Sequence, residues 1–373
     1  MLENVQTVPF VDLKAQFHQI YNEIDGSIKS VIQNTAFIRG KFVEEFEKNF
    51  AEFCNAKYCI GVGNGTDALF IALKSLGVTS GDEVIVPANS FIATSEAVSL
   101  TGAKVVFTDC DPNTYNIDTK LIESKITSRT KAIIPVHLYG SPANLPEICR
   151  IADKYDLAIV QDCAQSHGAM LDNKALAHYG NVLCYSFYPG KNLGAFGDAG
   201  AIVTNDEKIA KKSLMIANHG RVEKYDHEFE GVNSRMDGLQ GGILNVKLKY
   251  LGEWNENRRK NADIYTRLLE EVSDIHLPTV LSNVKHVYHL YVIRTKQRDS
   301  LQKFLKQNGI STGIHYPIAL PNLKAYQYLG HSSKDFPVAS QYQHEILSLP
   351  MYPELSQSNI EYVVQKIKSF YLK

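Results

Sequence analysis

Short runs of β-branched and aliphatic residues recur between about residues 58 and 206, separated by stretches whose apolar positions follow helical spacing. The runs are YCIGVGN, EVIVPAN, KVVFTDC, KAIIPVHLYG, LAIVQDC, VLCYSFY and GAIVTND. Strands alternating with helices predict an α/β layer built on a mostly parallel sheet. Residues 132–136 and 158–160 are near-continuously apolar, so both faces of those strands should lie under helices. Residues 12–54 read as helices, and Phe42, Phe46, Phe50 and Phe53 recur at steps of four, four and three, the stripe of a core-facing helix.

After residue 206 the pattern gives a basic helix start (EKIAKK), a polar loop over 219–235 with aromatic residues and glycine, and a long helical stretch from Leu239 to about Glu271. From 288 to 373, strand-like (YHLYVIRT) and helix-like (DSLQKFLKQNG, NIEYVVQKIKSF) pieces alternate. This change predicts two parts. Residues 1–250 are expected to form an N-terminal segment and a large domain, and 251–373 a long connecting helix and a small α+β domain.

Composition narrows the function classes. Among 373 residues, 39 Lys plus Arg balance 40 Asp plus Glu, a net charge of −1 that leaves no electrostatic footprint for nucleic acid. With 44% hydrophobic and 21% charged residues, the chain can bury a substantial core. No apolar run reaches the roughly 18 to 20 residues of a membrane span, and residues 1–10 lack the basic patch and apolar run of a signal peptide. The expectation is a cytoplasmic protein with no membrane partner. Cys54, Cys59, Cys110, Cys149, Cys163 and Cys184 show no CxxC pair and no zinc-like histidine spacing, so they read as reduced core thiols, with no metal site.

Three segments carry candidate chemistry. In VQDCAQSHGA (160–169), a buried strand delivers Asp162 at its carboxyl end, the edge of an α/β sheet where ligands bind. A carboxylate there needs a cation or hydrogen-bond donors, although Asp162 could equally cap the following turn. In SFYPGKNLGAFGDAGAIVTND (186–206), a strand runs into a Pro-Gly turn presenting Lys191. Such a lysine is either a Schiff-base nucleophile with a lowered pKa or an ordinary loop cation. In GVGNGTDALFIAL (61–73), Gly63, Asn64, Gly65 and Thr66 open an amphipathic helix whose unpaired N–H groups suit a phosphate. The spacing is not that of a Walker loop. Asp, Lys and a phosphate-binding helix start together describe a pyridoxal phosphate (PLP) site.

Over nearly its whole length the sequence resembles the sugar aminotransferases of the DegT/DnrJ/EryC1/StrS family, through PFVDLKAQ, FIRGKFVEEFE, GDEVIVPANSFIAT, TKAIIPVHLYG, GVNSRMDGLQ and GIHYPIALP in order. The resemblance implies a fold-type I PLP-dependent transferase with a mixed, mostly parallel seven-stranded sheet in the large domain. It implies that Lys191 is the Schiff-base lysine and proton shuttle, and that Asp162 pairs with the pyridine nitrogen. Gln165 matches the hydrogen-bond donor to the phenolic oxygen, and Phe91 the aromatic stacked on the ring. Gly65, Thr66 and Ser186 match phosphate-holding positions. Asn233 matches a residue that reaches the neighbouring subunit's phosphate, which implies a homodimer with shared sites and an interface crossed by the 219–235 loop. His315 and Tyr316 lie in a segment near the sugar side, where a structural role is equally open.

Some positions depart from the family pattern. Gln161 stands for the usual Glu, Asn64 for Ser, Ala199 for Gly, and Gly241 and Gly242 for an Ala pair, the last costing up to roughly 1 kcal/mol per position in helix propensity. Pro321 stands where many relatives carry histidine and receives no role. The resemblance implies transfer of an amino group from L-glutamate to a nucleotide-linked keto-sugar through PLP and pyridoxamine phosphate (PMP). Two features, SFYPGKNLGA and the NSR segment with Ser234, small where a bulkier aromatic is common, resemble the subgroup acting on 3-keto sugars, the smaller side chain beside the cofactor admitting the sugar in a different orientation. A dTDP-3-keto-6-deoxyhexose is the expected substrate. A UDP-linked 3-keto N-acetyl sugar or uronate remains an alternative, the uronate calling on Arg39, Arg221 or Arg235, and so does a 4-keto sugar. Chains of this fold also include dehydratases, which carry His in place of the lysine, and regulatory proteins without catalysis.

Overall fold

The computed structural model describes residues 6–371. Its central sheet has seven strands: β1 (Tyr58–Val62), β2 (Glu83–Pro87), β3 (Lys104–Thr108), β4 (Thr130–Ile133), β5 (Ala158–Asp162), β6 (Val182–Ser186) and β7 (Gly200–Thr204). Each comes from one of the runs picked out above. Their order across the sheet is β1-β7-β6-β5-β4-β2-β3. Strands β6, β5, β4, β2 and β3 pair in parallel, whereas β7 runs antiparallel to both β1 and β6. Every position of β2 and β7 is buried, which accounts for runs that do not alternate.

Helices cover both faces. Leu69, Ile71, Ala72 and Leu73 of the helix Gly65–Ser75 pack with Val62, Val84, Val86 and Ile202 on one side. On the other, Phe46 and Phe50 of the helix Lys41–Phe53 meet Tyr185 and Phe187 edge-on at 5.0–5.3 Å between ring centroids. The phenylalanine stripe is thus core at its middle positions. Such edge-to-face pairs add about 0.5–1.5 kcal/mol each beyond the area they bury.

The long helix expected from Leu239 to Glu271 is two helices, Gly238–Leu248 and Leu251–Leu269. At the break, Lys249 and Tyr250 switch to tighter turns, their N–H groups donating to Val246 and Lys247. The apolar pattern runs on through the break, so periodicity alone gives no sign of it. Gly241 and Gly242 find their compensation in close packing: a Cβ on Gly241 would stand 3.0 Å from the Phe42 carbonyl oxygen and from Val43 Cα, and one on Gly242 2.7 Å from Ser27 Oγ. The helices Lys41–Phe53 and Tyr21–Gln33 approach there.

The two-part division needs correction at both ends. Val8 pairs with Ile310 and joins the core made by the helices Leu251–Leu269, Arg298–Gln307 and Gln357–Tyr371 over the hairpin-like pair β8 (Tyr291–Arg294) and β9 (Ile346–Leu349). Conversely, Ala319, Leu320, Tyr326, Phe336 and Ala339 belong to the core of the large sheet. Asp109 fastens the second crossing, accepting from the amides of Val338 (2.8 Å) and Ala339 (2.9 Å). Amphipathic spacing tells that a residue is buried but not against which layer. Each part therefore lends a segment to the other. All six cysteines are free, and burial pushes the Cys54 thiol up to about 12. No helix among the described residues is long and apolar enough to cross a membrane.

Candidate active site

The site forms where β5 and β6 end beside the turn that follows β1. Asp162 closes β5. Pro135 interrupts the neighbouring strand because it has no N–H, yet its carbonyl still accepts from Asp162 N (2.9 Å), and Asp162 O accepts from His137 N (3.1 Å). With its backbone pinned, the carboxylate accepts from Thr94 Oγ1 (2.7 Å) at Oδ2 and from Ala164 N (3.1 Å) at Oδ1. Thr94 has one hydroxyl hydrogen and gives it to Asp162, so Ser90 Oγ, 2.7 Å away, must donate to Thr94. Burial raises the Asp162 pKa, against the pull of Thr94, Ala164 and the Lys191 charge. The carboxylate is short of a positive partner.

Lys191 sits in the turn after β6, closed by its own N–H to Tyr188 O (2.8 Å). Burial lowers its pKa to about 8, and the Asp162 charge opposes that shift only in part. Both ends of the lysine loop are clamped: Ser186 pairs with Gly200, and Phe187 N donates to Ala199 O (2.8 Å). Buried Lys247 also donates to Gly194 O (2.5 Å). The result is an amine far more readily deprotonated near neutrality than a free lysine, and held in place.

The turn after β1 is capped by Asn64, whose Oδ1 accepts from Asp67 N (2.8 Å). The amides of Gly65 and Thr66 are first-turn donors with no acceptor in the helix. Gly65 allows a close approach: a Cβ there would stand 2.5 Å from Ser186 Cβ, so the helix start and the Ser186 hydroxyl lie side by side. Ser234 has a second use. Its Oγ accepts from Gly63 N (3.0 Å) and donates to Asp67 Oδ2 (2.7 Å), and it is 2% exposed. The side chain braces the glycine turn. Ser234→Ala should therefore cost about 1–3 kcal/mol of stability by stranding the Gly63 N–H, measured by thermal melting.

Gln165 Oε1 accepts from Tyr139 N (2.6 Å), and its Nε2 donates to Tyr316 Oη (3.1 Å). The Tyr316 ring lies 5.5 Å from Phe91, which is 53% exposed and so presents a free aromatic face. His315 stacks on Phe10, its Nδ1 lies 2.8 Å from Ser348 Oγ, and its carbonyl accepts from Tyr139 Oη. Tyr316 meets both Gln165 and Phe91, and the Asp162 charge acts on both Lys191 and Tyr316. Two predicted residues stand apart. Asn233 is exposed and its backbone forms an isolated bridge with Asn218, and Arg221 lies on a hairpin with its Nε donating to Glu223 O (3.1 Å). The reading of the sequence missed Ser90, Thr94, Tyr139, Asn192 and His289. Thr94 and Ser90 lie in the NSFIAT stretch, where two hydroxyls three and one residues from Phe91 were the available signal.

The profile of the DegT/DnrJ/EryC1/StrS aminotransferase family matches residues 18–368. The chain is 45% identical to the pleiotropic regulatory protein of Geobacillus stearothermophilus, covering 98% of each. It is also 45% identical to the dTDP-3-amino-3,6-dideoxy-alpha-D-galactopyranose transaminase of Aneurinibacillus thermoaerophilus, covering 97% of this chain and 99% of that one. Identity to the UDP-2-acetamido-2-deoxy-3-oxo-D-glucuronate aminotransferase of Pseudomonas aeruginosa is 43%, over 95% and 98%. Among solved structures, S. venezuelae DesV in complex with a ketimine intermediate superposes with a TM-score of 0.96 at 39% identity, covering 98% of both chains. NtdA from Bacillus subtilis with bound cofactor PMP gives 0.91 at 32%, over 100% of this chain and 87% of that one.

The residues present fit that cofactor. A buried carboxylate wanting a cation, a lysine with a lowered pKa, helix-start amides beside a hydroxyl, and an exposed aromatic face are what the pyridine nitrogen, aldehyde, phosphate and ring of PLP require. Given a profile match over most of its length and relatives at 45% identity along nearly the whole chain, this protein belongs to the DegT/DnrJ/EryC1/StrS aminotransferase family.

Proposed function

We propose that the protein transfers an amino group from L-glutamate to a nucleotide-linked 3-keto sugar, a dTDP-3-keto-6-deoxyhexose converted to the 3-amino sugar. The observation that carries this reading is the lysine with pKa about 8 set against the buried Asp162, in a chain 45% identical to a dTDP-3-amino sugar transaminase. PLP, when bound, supplies an electron sink for the charge left on the substrate carbon. Lys191 would hold its aldehyde through Nζ, and the same amine would carry the proton to and from the substrate carbon. Asp162, steadied by Thr94 and Ala164, keeps a proton on the pyridine nitrogen. Gly65 and Thr66 amides and the Ser186 hydroxyl would hold the phosphate, Gln165 would donate to the phenolic oxygen, and Phe91 would offer its face to the ring. His315 and Tyr316 border the space left for the sugar.

Asn233 is assigned to the phosphate of a second protomer in a homodimer. Its exposure, and that of Val222 (55%) and Tyr225 (84%) on the nearby hairpin, support an interface there. Of the arginines a uronate would call on, Arg39 faces Glu47 (3.9 Å) and Arg221 donates to Glu223 O (3.1 Å), whereas Arg235 donates to Asn218 (3.3 Å) from Nη1 and keeps its buried Nε without a partner among the described residues. The similarity to a UDP-glucuronate-type aminotransferase keeps the UDP reading as the competitor.

Incubating the protein, PLP and glutamate with dTDP-3-keto-6-deoxyhexose, dTDP-4-keto-6-deoxyhexose and UDP-linked 3-keto sugars, followed by mass spectrometry, tests this reading. Amination of the dTDP-3-keto sugar alone is expected; amination of another sugar alone moves the assignment there. A regulatory protein, as the Geobacillus relative is called, would not be bleached by glutamate. The amine also sets a pH dependence. Because Lys191 attacks only when deprotonated and its pKa is about 8, capture of PLP by cofactor-free protein should quicken as pH rises and level off above about pH 8. Stopped-flow absorbance reads this directly, and a rate flat between about pH 6 and 9 would contradict the assignment.

A further inference from the structure

His289 takes no part in the reading above, yet it stands beside the lysine. It is half-buried just before β8, its carbonyl accepts from Arg258 Nη1 (3.3 Å), and its Nδ1 lies 3.0 Å from Oδ1 of Asn192, the residue after Lys191. Neighbours fix the direction of that last hydrogen bond. The carbonyl of His167 can only accept, so the Asn255 amide nitrogen points to it (2.7 Å). Asn255 Oδ1 is then left to accept from Asn192 Nδ2 (2.9 Å), which also donates to Val287 O (3.0 Å). Asn192 Oδ1 is therefore an acceptor, and His289 Nδ1 must carry the hydrogen. A neutral ring so oriented has a bare lone pair on Nε2, which accepts and cannot donate.

Lys191, Arg258, His315 and His167 act on the ring, each disfavouring its charged form. Burial, and then the lysine's charge, hold the imidazole well below its ordinary range, so it stays neutral at working pH. We propose that His289 Nε2 selects the sugar: it accepts a hydrogen bond from a hydroxyl of the keto-sugar at the lysine. This rests on the transamination reading and deepens it. Glutamate brings two carboxylates, which a lone pair repels, and its one donor, the amino group, is committed to the reaction. A sugar ring brings hydroxyl donors, so the acceptor favours the sugar half of the reaction over the glutamate half.

The two halves can be timed separately, as bleaching of the yellow enzyme by glutamate and recovery of colour with whichever of the three nucleotide sugars restores the wild type. His289→Asn places an amide nitrogen near the Nδ1 position, keeping the bond to Asn192, and removes the Nε2 acceptor. The ratio of the sugar to the glutamate second-order rate constant should fall about tenfold, the scale of one neutral hydrogen bond. His289→Gln, whose oxygen reaches toward the Nε2 position, should recover part of the loss. An unchanged ratio in His289→Asn would overturn the proposal, as would equal loss of both halves, which marks a residue that only positions Lys191. Wild-type enzyme that no keto-sugar recolours would instead overturn the substrate reading, and this inference with it.

Discussion

Lys191→Ala is expected to give a folded, colourless protein with transamination reduced by at least about 10⁴-fold, since the nucleophile and the proton carrier are lost together. The fold should survive because the lysine pays a desolvation penalty in place, shown by its pKa of about 8, and the loop keeps its clamps at Ser186–Gly200 and Gly194–Lys247. Absorbance spectra, turnover and thermal melting together check this. A variant that stays yellow or turns over at the wild-type rate would remove Lys191 from the chemistry. One melting far below the wild type would show that the lysine was structural.

Asp162→Asn should keep the cofactor while lowering turnover by about 10²–10³, the range found when one preorganised electrostatic partner is removed from a site. The amide is nearly isosteric, and Ala164 N and Thr94 Oγ1 can still donate to its one oxygen or turn away, so the pocket keeps its shape. What is lost is the negative charge that holds a proton on the ring nitrogen. Thr94→Val isolates the support: it removes one of the carboxylate's two donors without removing the charge, and should slow turnover by less than Asp162→Asn. Equal rates for Asp162→Asn and wild type, measured in single-turnover experiments with glutamate, would exclude the electronic role.

Much of this was legible in the sequence because local chemistry announces it. A strand needs only a short β-branched run, and all seven were present; a Pro-Gly turn before a lysine and a glycine turn before a helix are visible without a partner. What stayed hidden depends on residues far apart in the chain. Thr94 meets Asp162 across 68 positions and His289 meets Asn192 across 97, and neither pairing leaves a mark on periodicity. His289 lay in YHLYVIRT, read only as strand. Ser234 was noticed for its size, but its hydroxyl proved to matter, since two partners from the β1 turn use it. The direction of β7 and the break at Lys249–Tyr250 were equally unmarked, for apolar runs carry no sign of polarity or of a turn between helices.

The antiparallel β7 has a consequence for how the chain reaches this state. It is the sole sheet neighbour of β1, which is made some 140 residues earlier. While the chain leaves the ribosome, β2 to β6 can assemble by successive short crossovers, but residues 58–62 wait as an unpaired edge, exposed to wrong partners. Only when β7 slides between β1 and β6 does the glycine turn meet Ser186. Cofactor capture is on this account among the last events of maturation, and nascent chains truncated before residue 200 should neither turn yellow nor protect the amides of β1 from hydrogen exchange.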